Sequence, residues 1–600
     1  MLASARFPAP GSLSFATPNP ARPPIVRSLA VSRVATLALL GALAACDSSS
    51  APRGGAQPPD VAADFAEQAR AFPRGVLEVT DGVYAAVGYG LANSVMLVGD
   101  GGVVIVDTME SAEAAAPVRE EFRRISTAPV AAIIYTHNHA DHIFGAGVLA
   151  GDDRPEVFAH ASFQAELDRI VTVTSPITYR RSMRQFGTLI PADQRIHCGI
   201  GPRLVSDATT TASLLLPTRT FEGERLEVTI AGIRMVLLHV PGETPDQVAV
   251  WLPDKRVLVS GDNYYHSFPN LYAVRGTPTR DVLQWVASLD TMRALDPAFL
   301  VPGHTLPVAA EGDIHARLTD YRDAIQYVHD QTVRSMNEGR TPDEVVEIVK
   351  LPKALASRPW LAEHYGRVDW SVRGVFHGYL GWFGGDAADL SPLSRKLRAE
   401  RMATLAGGSE KLRDRATAAL AGGDARWALE LAGHLAALGE FTDVAARVRA
   451  SALRMLASAE TSANGRNYYL TQAMESEEKL TVEPPDPARL PPALLENIPI
   501  AGFLRAMTVR LDAKKAEGRN LAVGLRFTDT GEDWGMRLRN SVVELEPRLP
   551  DGADMTVTTT SRTWKEIVTK KRNPTLAFAS GDVQVDRNRL ELVRFLFLFR

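Results

Sequence analysis

The strongest chemical signal in the sequence is a histidine-rich segment that follows an apolar run. The segment Thr136-His137-Asn138-His139-Ala140-Asp141-His142 comes directly after Val130-Ala131-Ala132-Ile133-Ile134-Tyr135. Ligand side chains so close in sequence cannot all point one way from a regular helix or strand, whereas a tight loop at a strand end can aim them at two adjacent cations. Because apolar residues flank the segment, we predict a buried metal site rather than a solvated histidine-rich loop.

Three later residues are candidates for the same site. Glu243 follows Pro241-Gly242, Asp262 follows Gly261, and His304 follows Pro302-Gly303, each after an apolar run. One such residue would be weak evidence, but the recurrence of the same arrangement favours a shared site. Two divalent cations there would lower the pKa of bound water toward about 7 and supply a nucleophile at neutral pH. Zn²⁺ is the default for histidine and carboxylate ligands, although manganese and iron also accept them.

Short apolar and β-branched runs position these residues. Residues 83–87, 94–98 and 103–107 are separated by Asp-Gly and Gly-Asp turns and read as strands. A helical pattern at 112–125 comes before the strand that leads into the histidines. Strands that alternate with helices predict a layered α/β fold over residues 65–315.

The rest of the chain divides into two further units. From about residue 316 the pattern is helical, with a long Ala/Leu/Arg-rich stretch at 394–456 that Gly-Gly pairs interrupt. The Pro-rich segment 482–487 reads as a linker, and alternating strands at 522–527 and 535–538 follow it. We therefore predict an all-helical domain at 316–480 and an α+β domain at 481–600.

The N-terminal segment reads as an export signal. Arg27 and Arg33 precede an apolar run at 34–45, which ends in Leu43-Ala44-Ala45-Cys46 and is too short to span a bilayer. The pattern resembles bacterial lipoproteins and implies a signal peptide at 1–45, lipidation of Cys46, a flexible tether at 46–64 and anchoring on the periplasmic side of a membrane. A plain signal peptide with an incidental cysteine is the alternative.

Composition narrows the class of partner. The chain has 45% hydrophobic and 23% charged residues, typical of globular domains, and its formal net charge is -4. It has no long basic run that would follow a phosphate backbone, so nucleic acid is not an expected partner.

The histidine-rich segment resembles the signature of the metallo-β-lactamase superfamily, and Glu243 resembles the alkyl sulfatase branch, because most superfamily hydrolases have histidine near that position. The resemblance implies that His137, His139 and Glu243 hold one metal and that Asp141, His142 and His304 hold the other. Asp262 would bridge the two metals, at a place where the family often has glutamate.

Further segments resemble alkyl sulfatases: residues 179–187, the stretch from Asp262 through Arg275-Gly276, and residues 370–383. A sulfate ester needs hydrogen-bond donors for its oxygens, and each candidate alone has a structural salt bridge or core hydrogen bond as its alternative. His266 has a titration range that suits protonation of a leaving alkoxide. The resemblance therefore implies catalytic roles for His266 and Asp262, and substrate-binding roles for Tyr179, Asn270, Arg275 and Arg373.

The family resemblance also implies an architecture and an activity. The architecture is a metallo-β-lactamase αββα sandwich followed by an all-helical dimerisation domain and an α+β sterol-carrier-like domain, in a homodimer. The activity is metal-dependent hydrolysis of an alkyl sulfate, or a related amphiphilic ester, to alcohol and inorganic sulfate. Two alternatives are another hydrolase on the same metal core, such as a lactonase, thioesterase or phosphodiesterase, and a non-catalytic lipid- or surfactant-binding lipoprotein.

Overall fold

Two β-sheets packed face to face carry the histidine-rich segment. The computed structural model describes residues 61–207, 209–484, 486, 495–496, 498–587 and 589–599, all within one compact unit, Pro58–Arg600. The predicted signal peptide, Cys46 and the tether before Val61 lie outside the described residues. The fold begins with helix α1, Val61–Gln68, followed by a short 3₁₀ turn, Ala69–Ala71.

The first sheet has the strands in chain order, antiparallel from β1 to β4 and parallel from β4 to β7. Its strands are β1 Gly75–Thr80, β2 Val83–Val87, β3 Ser94–Gly99, β4 Gly102–Val106, β5 Val130–Ile134, β6 Glu156–His160 and β7 Arg219–Phe221.

The second sheet has the order β13-β12-β11-β10-β9-β8, with β11 and β12 parallel. Its strands are β8 Arg225–Ile230, β9 Ile233–His239, β10 Val248–Leu252, β11 Val257–Gly261, β12 Phe299–Pro302 and β13 Val308–Ala309.

Strands in the middle of the sandwich are apolar on both faces. Along β4, Val104 and Val106 belong to the core between the two sheets, whereas Val103 and Ile105 belong to a second core under the outer helices. Side chains alternate along a strand, so a continuous apolar run buries both faces. Each fully buried Val or Ile side chain contributes about 1.5–3 kcal/mol relative to an exposed one.

Helices cover the outer face of each sheet and complete the αββα sandwich. Helices α2 Ala112–Ile125, α4 Ala146–Ala150 and α5 Phe163–Asp168 pack on the first sheet, and α7 Val282–Ala294 and α8 Ile314–Asn337 pack on the second. The sequence placed residues from 316 in the helical domain. The apolar face of α8 shares a core with Leu258 and Leu300 of the second sheet and also with Val345 and Val372 of the helical domain, so this helix packs on both.

The remaining helices before the C-terminal domain belong either to the sandwich or to the helical domain that follows it. The Gly407-Gly408 and Gly422-Gly423 pairs separate three of them, as the sequence predicted, and Gly407 ends its helix in the left-handed conformation. The helices are α3 Ala140–Ile143, α6 Ser175–Gln185, α9 Pro342–Ile348, α10 Lys353–Ala356, α11 Val368–Leu380, α12 Arg395–Ala406, α13 Ser409–Ala421, α14 Ala425–Leu438, α15 Thr442–Ala459 and α16 Ala463–Ser476.

The C-terminal domain is α+β, with a sheet in the order β16-β15-β14-β17-β18 around its own core. Among the described residues, no helix is both long enough and apolar enough to cross a membrane. The elements of the domain are α17 Ile500–Thr508, β14 Leu521–Phe527, β15 Asp533–Arg539, β16 Val542–Glu546, β17 Met555–Thr559, α18 Ser561–Val568, α19 Pro574–Ala579, β18 Val583–Val585 and α20 Arg589–Leu596.

Candidate metal centre and substrate cavity

The loop after β5 is anchored before the first histidine. The backbone N–H and the hydroxyl of Thr136 each donate to the Asp107 carboxylate, at 2.8 Å and 2.8 Å. The Thr136 carbonyl accepts from Val248 N–H at 2.7 Å, which ties this loop to the second sheet. The histidines therefore leave the sheet from a fixed point rather than from a mobile loop.

Two groups of metal-ligand candidates form at the carboxyl ends of the strands. His137, His139 and Asp262 make one group and Asp141, His142 and His304 make the other, with the ligand atoms of each group within 4.8 Å of one another. His137 Nε2 lies 2.8 Å from His139 Nδ1. In the second group, Asp141 Oδ2 lies 3.6 Å from both His142 Nε2 and His304 Nε2.

Asp262 lies between the two groups. Its Oδ2 atom is 3.7 Å from His137 Nε2 and 3.1 Å from His304 Nε2, and its Oδ1 atom is 3.4 Å from His142 Nε2. The carboxylate thus reaches ligand atoms of both groups, which is the position of a bridging ligand. Gly303 makes room for it, because a Cβ there would lie 2.3 Å from Asp262 Oδ1.

Hydrogen bonds of the other ring nitrogen, Nδ1, orient two of the histidines. His142 Nδ1 lies 2.7 Å from Asp107 Oδ2, and His304 Nδ1 lies 2.7 Å from the Leu91 carbonyl oxygen. When each Nδ1–H donates to its oxygen, the Nε2 lone pair points into the centre, as a metal ligand requires.

Burial and neighbouring charges shift the pKa values of these groups. Burial holds the pKa values of His137 and His139 well below the usual range, and neighbouring positive charge adds to the effect. Burial also opposes charge on His142, but Asp262, Asp107 and Asp141 together raise its pKa well above the ordinary value. Neutral imidazoles at His137 and His139 are the form that binds metals.

The donor set fits two divalent cations. His142 Nε2 and Asp262 Oδ1 are buried without a hydrogen-bond partner, which is costly unless a ligand satisfies them. Imidazole nitrogens and carboxylate oxygens are the ligands that zinc prefers, and the same set also accepts iron or manganese. The residues that would hold the cations are those of the two groups.

Glu243 belongs to neither group. Its Oε1 accepts from Arg280 Nη2 at 2.8 Å, and its Oε2 lies 3.4 Å from the Tyr265 hydroxyl. In this arrangement Glu243 forms an ion pair with Arg280, and its role as a metal ligand stays a prediction. Burial raises the pKa of Glu243, although Arg280 opposes the rise.

Two buried arginines border the centre. Arg275 Nη2 lies 3.2 Å from His139 Nε2, and Arg280 pairs with Glu243. Both side chains are nearly inaccessible, so their charges are poorly screened by solvent. The sequence indicated a substrate-binding role for Arg275 but gave no such indication for Arg280.

The loop Gly276–Asp281 separates a small inner pocket from a larger outer cavity. The inner pocket, of about 110 Å³, is lined by Asn138, His139, Glu243 and Arg280. The outer cavity, of about 840 Å³, is bounded by the same loop and by α11, and Arg280 lines both. Positively charged and apolar side chains both line the outer cavity. They include Arg181, Arg280, Arg373, Leu271, Val282, Leu283, Val375 and Tyr379.

Comparison with known proteins identifies the family. Three family models match successive stretches: metallo-beta-lactamase superfamily over residues 87–304, alkyl sulfatase dimerisation over residues 341–479 and alkyl sulfatase C-terminal over residues 489–600. The linear primary-alkylsulfatase of Pseudomonas sp. is 38% identical over 515 residues, which cover 83% of this chain and 97% of that protein. The chain belongs to the alkyl sulfatase family.

More distant alkyl sulfatases also match along most of their length. The alkyl/aryl-sulfatase BDS1 of Saccharomyces cerevisiae is 29% identical over 537 residues, covering 88% of this chain and 82% of that protein. The solved structure of the stereoselective inverting sec-alkylsulfatase Pisa1 from Pseudomonas sp. has a TM-score of 0.81 and 27% identity, covering 89% of this chain and 86% of that chain. These matches confirm the predicted architecture, in which a metallo-β-lactamase domain is followed by a helical dimerisation domain and an α+β C-terminal domain.

The other predicted residues of this alkyl sulfatase lie in varied surroundings. Asn270 is buried beside the centre, its backbone N–H donates to the Tyr265 hydroxyl at 2.8 Å, and its side-chain amide has no hydrogen-bond partner. Tyr179 is half-buried and packs with an apolar cluster that includes Tyr265. Burial raises the pKa of its phenol.

His266 and Arg373 have partners other than the metal-ligand groups. His266 Nδ1 lies 3.2 Å from Arg317 Nη1, and burial together with that guanidinium lowers the pKa of His266 to about 4. A neutral imidazole holds no extra proton for a leaving alkoxide, so this environment does not favour the predicted acid role. Arg373 Nη2 lies 2.7 Å from Asp343 Oδ1, and half of its side chain is exposed.

Sequence reasoning missed Asp107 and Arg280. Asp107 closes the apolar run of β4 in the same way that Asp262 closes β11, so its position was a readable signal. Arg280 lies in the irregular segment Gly276-Thr277-Pro278-Thr279-Arg280-Asp281, where no periodicity distinguishes this buried arginine from arginines on the surface.

Proposed function

We propose that this protein hydrolyses alkyl sulfate esters to an alcohol and inorganic sulfate with a dinuclear metal centre. The proposal rests on the order in which different surroundings follow one another from the candidate metal ligands outward. Buried arginines adjoin the candidate ligands, and a cavity with cationic and apolar walls follows. An alkyl sulfate has the same order of chemistry, since its anionic head continues into an apolar chain.

The chain's own residues supply binding and orientation in this proposal. Arg275 and Arg280 bind sulfate oxygens, because charge-assisted hydrogen bonds from a planar guanidinium suit a tetrahedral anion. Asp107 and the Leu91 carbonyl keep His142 and His304 aimed inward. Two divalent cations, zinc by default, would activate water and stabilise negative charge when bound there. The outer cavity holds the alkyl chain, and its volume of about 840 Å³ lies within the usual range for ligand sites.

Release of inorganic sulfate tests the proposal. The purified protein with zinc should release sulfate from dodecyl sulfate, a chelator should stop the release, and added zinc should restore it. Dodecyl phosphate and a dodecanoyl thioester serve as matched substrates, and both should react at least about a hundredfold more slowly, because the site must discriminate the reacting group. Faster turnover of the thioester or the phosphate would assign the centre to another hydrolase class.

A linear primary ester is the preferred substrate. One linear primary-alkylsulfatase of Pseudomonas sp. is 38% identical, whereas a second linear primary-alkylsulfatase is 29% identical and the (R)-specific secondary-alkylsulfatase is 28% identical. Dodecan-1-yl sulfate should therefore have a higher kcat/KM than racemic dodecan-2-yl sulfate. Equal values, or a preference for one enantiomer of the secondary ester, would contradict this assignment.

The protein acts on the periplasmic side of a membrane, anchored through lipidated Cys46. The support is the sequence alone: an arginine-flanked apolar run that ends in Leu43-Ala44-Ala45-Cys46. Wild-type protein should sediment with membranes and incorporate labelled palmitate, and Cys46→Ser should do neither. A wild type recovered unlabelled in the soluble fraction would remove the anchor from the proposal.

The active form is a homodimer. The support is the alkyl sulfatase dimerisation model, which matches residues 341–479. Sedimentation of the purified protein tests this directly.

A further inference from the structure

An exposed segment of defined structure follows α11. Every residue from Gly385 to Arg398, here called the arm, is exposed, although the arm contains a 3₁₀ turn, Ala387–Leu390, and the first turn of α12. Leu390 is 59% exposed and Leu393 is 48% exposed. Local caps hold the arm, because the side chains of Asp386 and Ser394 accept from Ala388 N–H and Leu397 N–H. The arm therefore has a fixed shape but no core of its own.

Large apolar side chains just before the arm are exposed as well. The rim, defined as Tyr379, Leu380 and Trp382, follows directly on the cavity-lining part of α11, and Trp382 is 70% exposed. Tyr379 belongs to both features, since it also lines the outer cavity. Neighbouring exposed apolar residues of this size mark an interaction surface rather than ordinary solvent-facing surface.

A second copy of this chain fits the surface in both position and charge. The arm and the rim lie inside the stretch that matches the alkyl sulfatase dimerisation model, residues 341–479. The first part of the arm, residues 385–393, has Asp386 and Asp389 and no basic residue, whereas the cavity wall next to the rim has Arg373 and His377. In a two-fold dimer each copy can give its arm and receive the partner's, so the contact closes on itself.

We propose that the arm of one copy packs on the rim of the other and closes the outer cavity, so that two chains form the binding site for the alkyl chain. This inference rests on the proposed function for the identity of the substrate, but the contact itself does not depend on it. Closure by a partner excludes water from a long alkyl chain, and a small sulfate ester that does not fill the cavity gains little from it.

The test separates assembly from catalysis. In Leu390→Glu/Leu393→Glu, two exposed side chains change and the core does not, so the fold should be retained. Sedimentation velocity should show a dimer for the wild type and a monomer for the variant. The kcat/KM for dodecyl sulfate should fall about tenfold or more, while the kcat/KM for 4-nitrophenyl sulfate should change less than about twofold, because a small aryl ester does not fill the cavity and gains little from its closure. Bound metal should be unchanged.

A leucine elsewhere provides the matched control. Leu590→Glu alters a residue that is 72% exposed in the C-terminal domain, and it should leave both the dimer and the kinetics intact. A monomeric wild type, a dimeric arm variant, or a monomeric arm variant with unchanged dodecyl sulfate kinetics would each overturn the inference. Sedimentation does not require turnover, so a dimeric wild type without sulfatase activity counts against the proposed function and leaves the contact standing.

Discussion

The metal-ligand groups and the outer cavity lie on opposite sides of the loop Gly276–Asp281, and the two regions are built differently. At the metal-ligand groups, side chains stand at strand ends of a buried sandwich, and contacts such as that between His142 and Asp107 fix their orientation. At the outer cavity, a loop and an exposed helix end form the wall. Rigid strand ends suit chemistry that depends on distances, whereas a less constrained wall suits a flexible alkyl chain.

Loss of the Asp262 carboxylate, which lies within reach of both metal-ligand groups, should have the largest effect of all. Asp262→Asn keeps the shape but removes the charge that lies within reach of both ligand groups. We expect bound zinc to fall to about one ion or less and kcat/KM for dodecyl sulfate to fall about a thousandfold or more. Zinc is measured by inductively coupled plasma spectrometry.

The control for this variant is Asp254→Asn on the same sheet, an exposed aspartate that pairs with Arg234. It should keep both zinc and activity. Full zinc occupancy in Asp262→Asn would mean that Asp262 is not a ligand.

Arg280 should show whether the inner pocket binds the sulfate group. Arg280→Ala removes a charge-assisted contact worth about 1.5–3 kcal/mol, which corresponds to a loss of about ten- to a hundredfold in kcat/KM. Arg280→Lys should recover part of the loss, because an ammonium group cannot reproduce a planar fork. Steady-state kinetics with dodecyl sulfate measure both.

Arg280 also pairs with buried Glu243, so the variants need a second readout. Thermal unfolding of the zinc-loaded protein reports the cost of leaving that carboxylate without its partner. If Arg280→Ala loses stability but keeps its kinetics with dodecyl sulfate, Arg280 supports the fold and does not bind substrate.

A variant of Asp107 tests how strongly metal binding depends on the orientation of the ligand side chains. Asp107→Asn leaves a similar shape next to His142 but withdraws the charge that holds the Nδ1–H, and changes of this kind lower metal affinity about tenfold or more. Competition with a chromophoric chelator measures the affinity, and with excess zinc the activity should approach that of the wild type. Unchanged zinc affinity would show that Thr136 and the backbone suffice to orient the loop.

The same difference between the two regions explains what the sequence predicted. His137 to His142, Asp262 and His304 follow apolar runs at strand ends, and strand ends can be read from residue pattern. The layered α/β fold was predictable for the same reason, because strands with two buried faces are continuous apolar runs, and the family resemblance added the αββα arrangement. The contact of helix α8 with the second sheet was not predictable, because an apolar stripe shows that a helix packs but not on which element.

Substrate contacts were harder to predict because they depend on distances between segments remote in sequence. Arg280 meets Glu243 across the fold, and nothing near either residue announces the pair. Arg373 was selected because its motif resembles other alkyl sulfatases, but a motif does not fix the direction of a long side chain. Its guanidinium pairs with Asp343 on the preceding helix α9.

The smallest effect should come from Arg373, and it sharpens the contrast with Arg280. Both arginines line the outer cavity, but Arg373 is 50% exposed and its partner Asp343 is 85% exposed. Ion pairs this exposed contribute about 0–1 kcal/mol, so Arg373→Ala should lower kcat/KM for dodecyl sulfate by less than about fivefold and leave zinc unchanged. Asp343→Ala provides the matched test, because it removes the same ion pair but keeps the guanidinium. If Arg373 only pairs with Asp343, the two variants should behave alike. If Arg373 reaches the sulfate group during turnover, Arg373→Ala should lose about tenfold or more while Asp343→Ala becomes more active, since a released guanidinium binds the anion more readily. That second pattern would return Arg373 to the role that the sequence resemblance assigned to it.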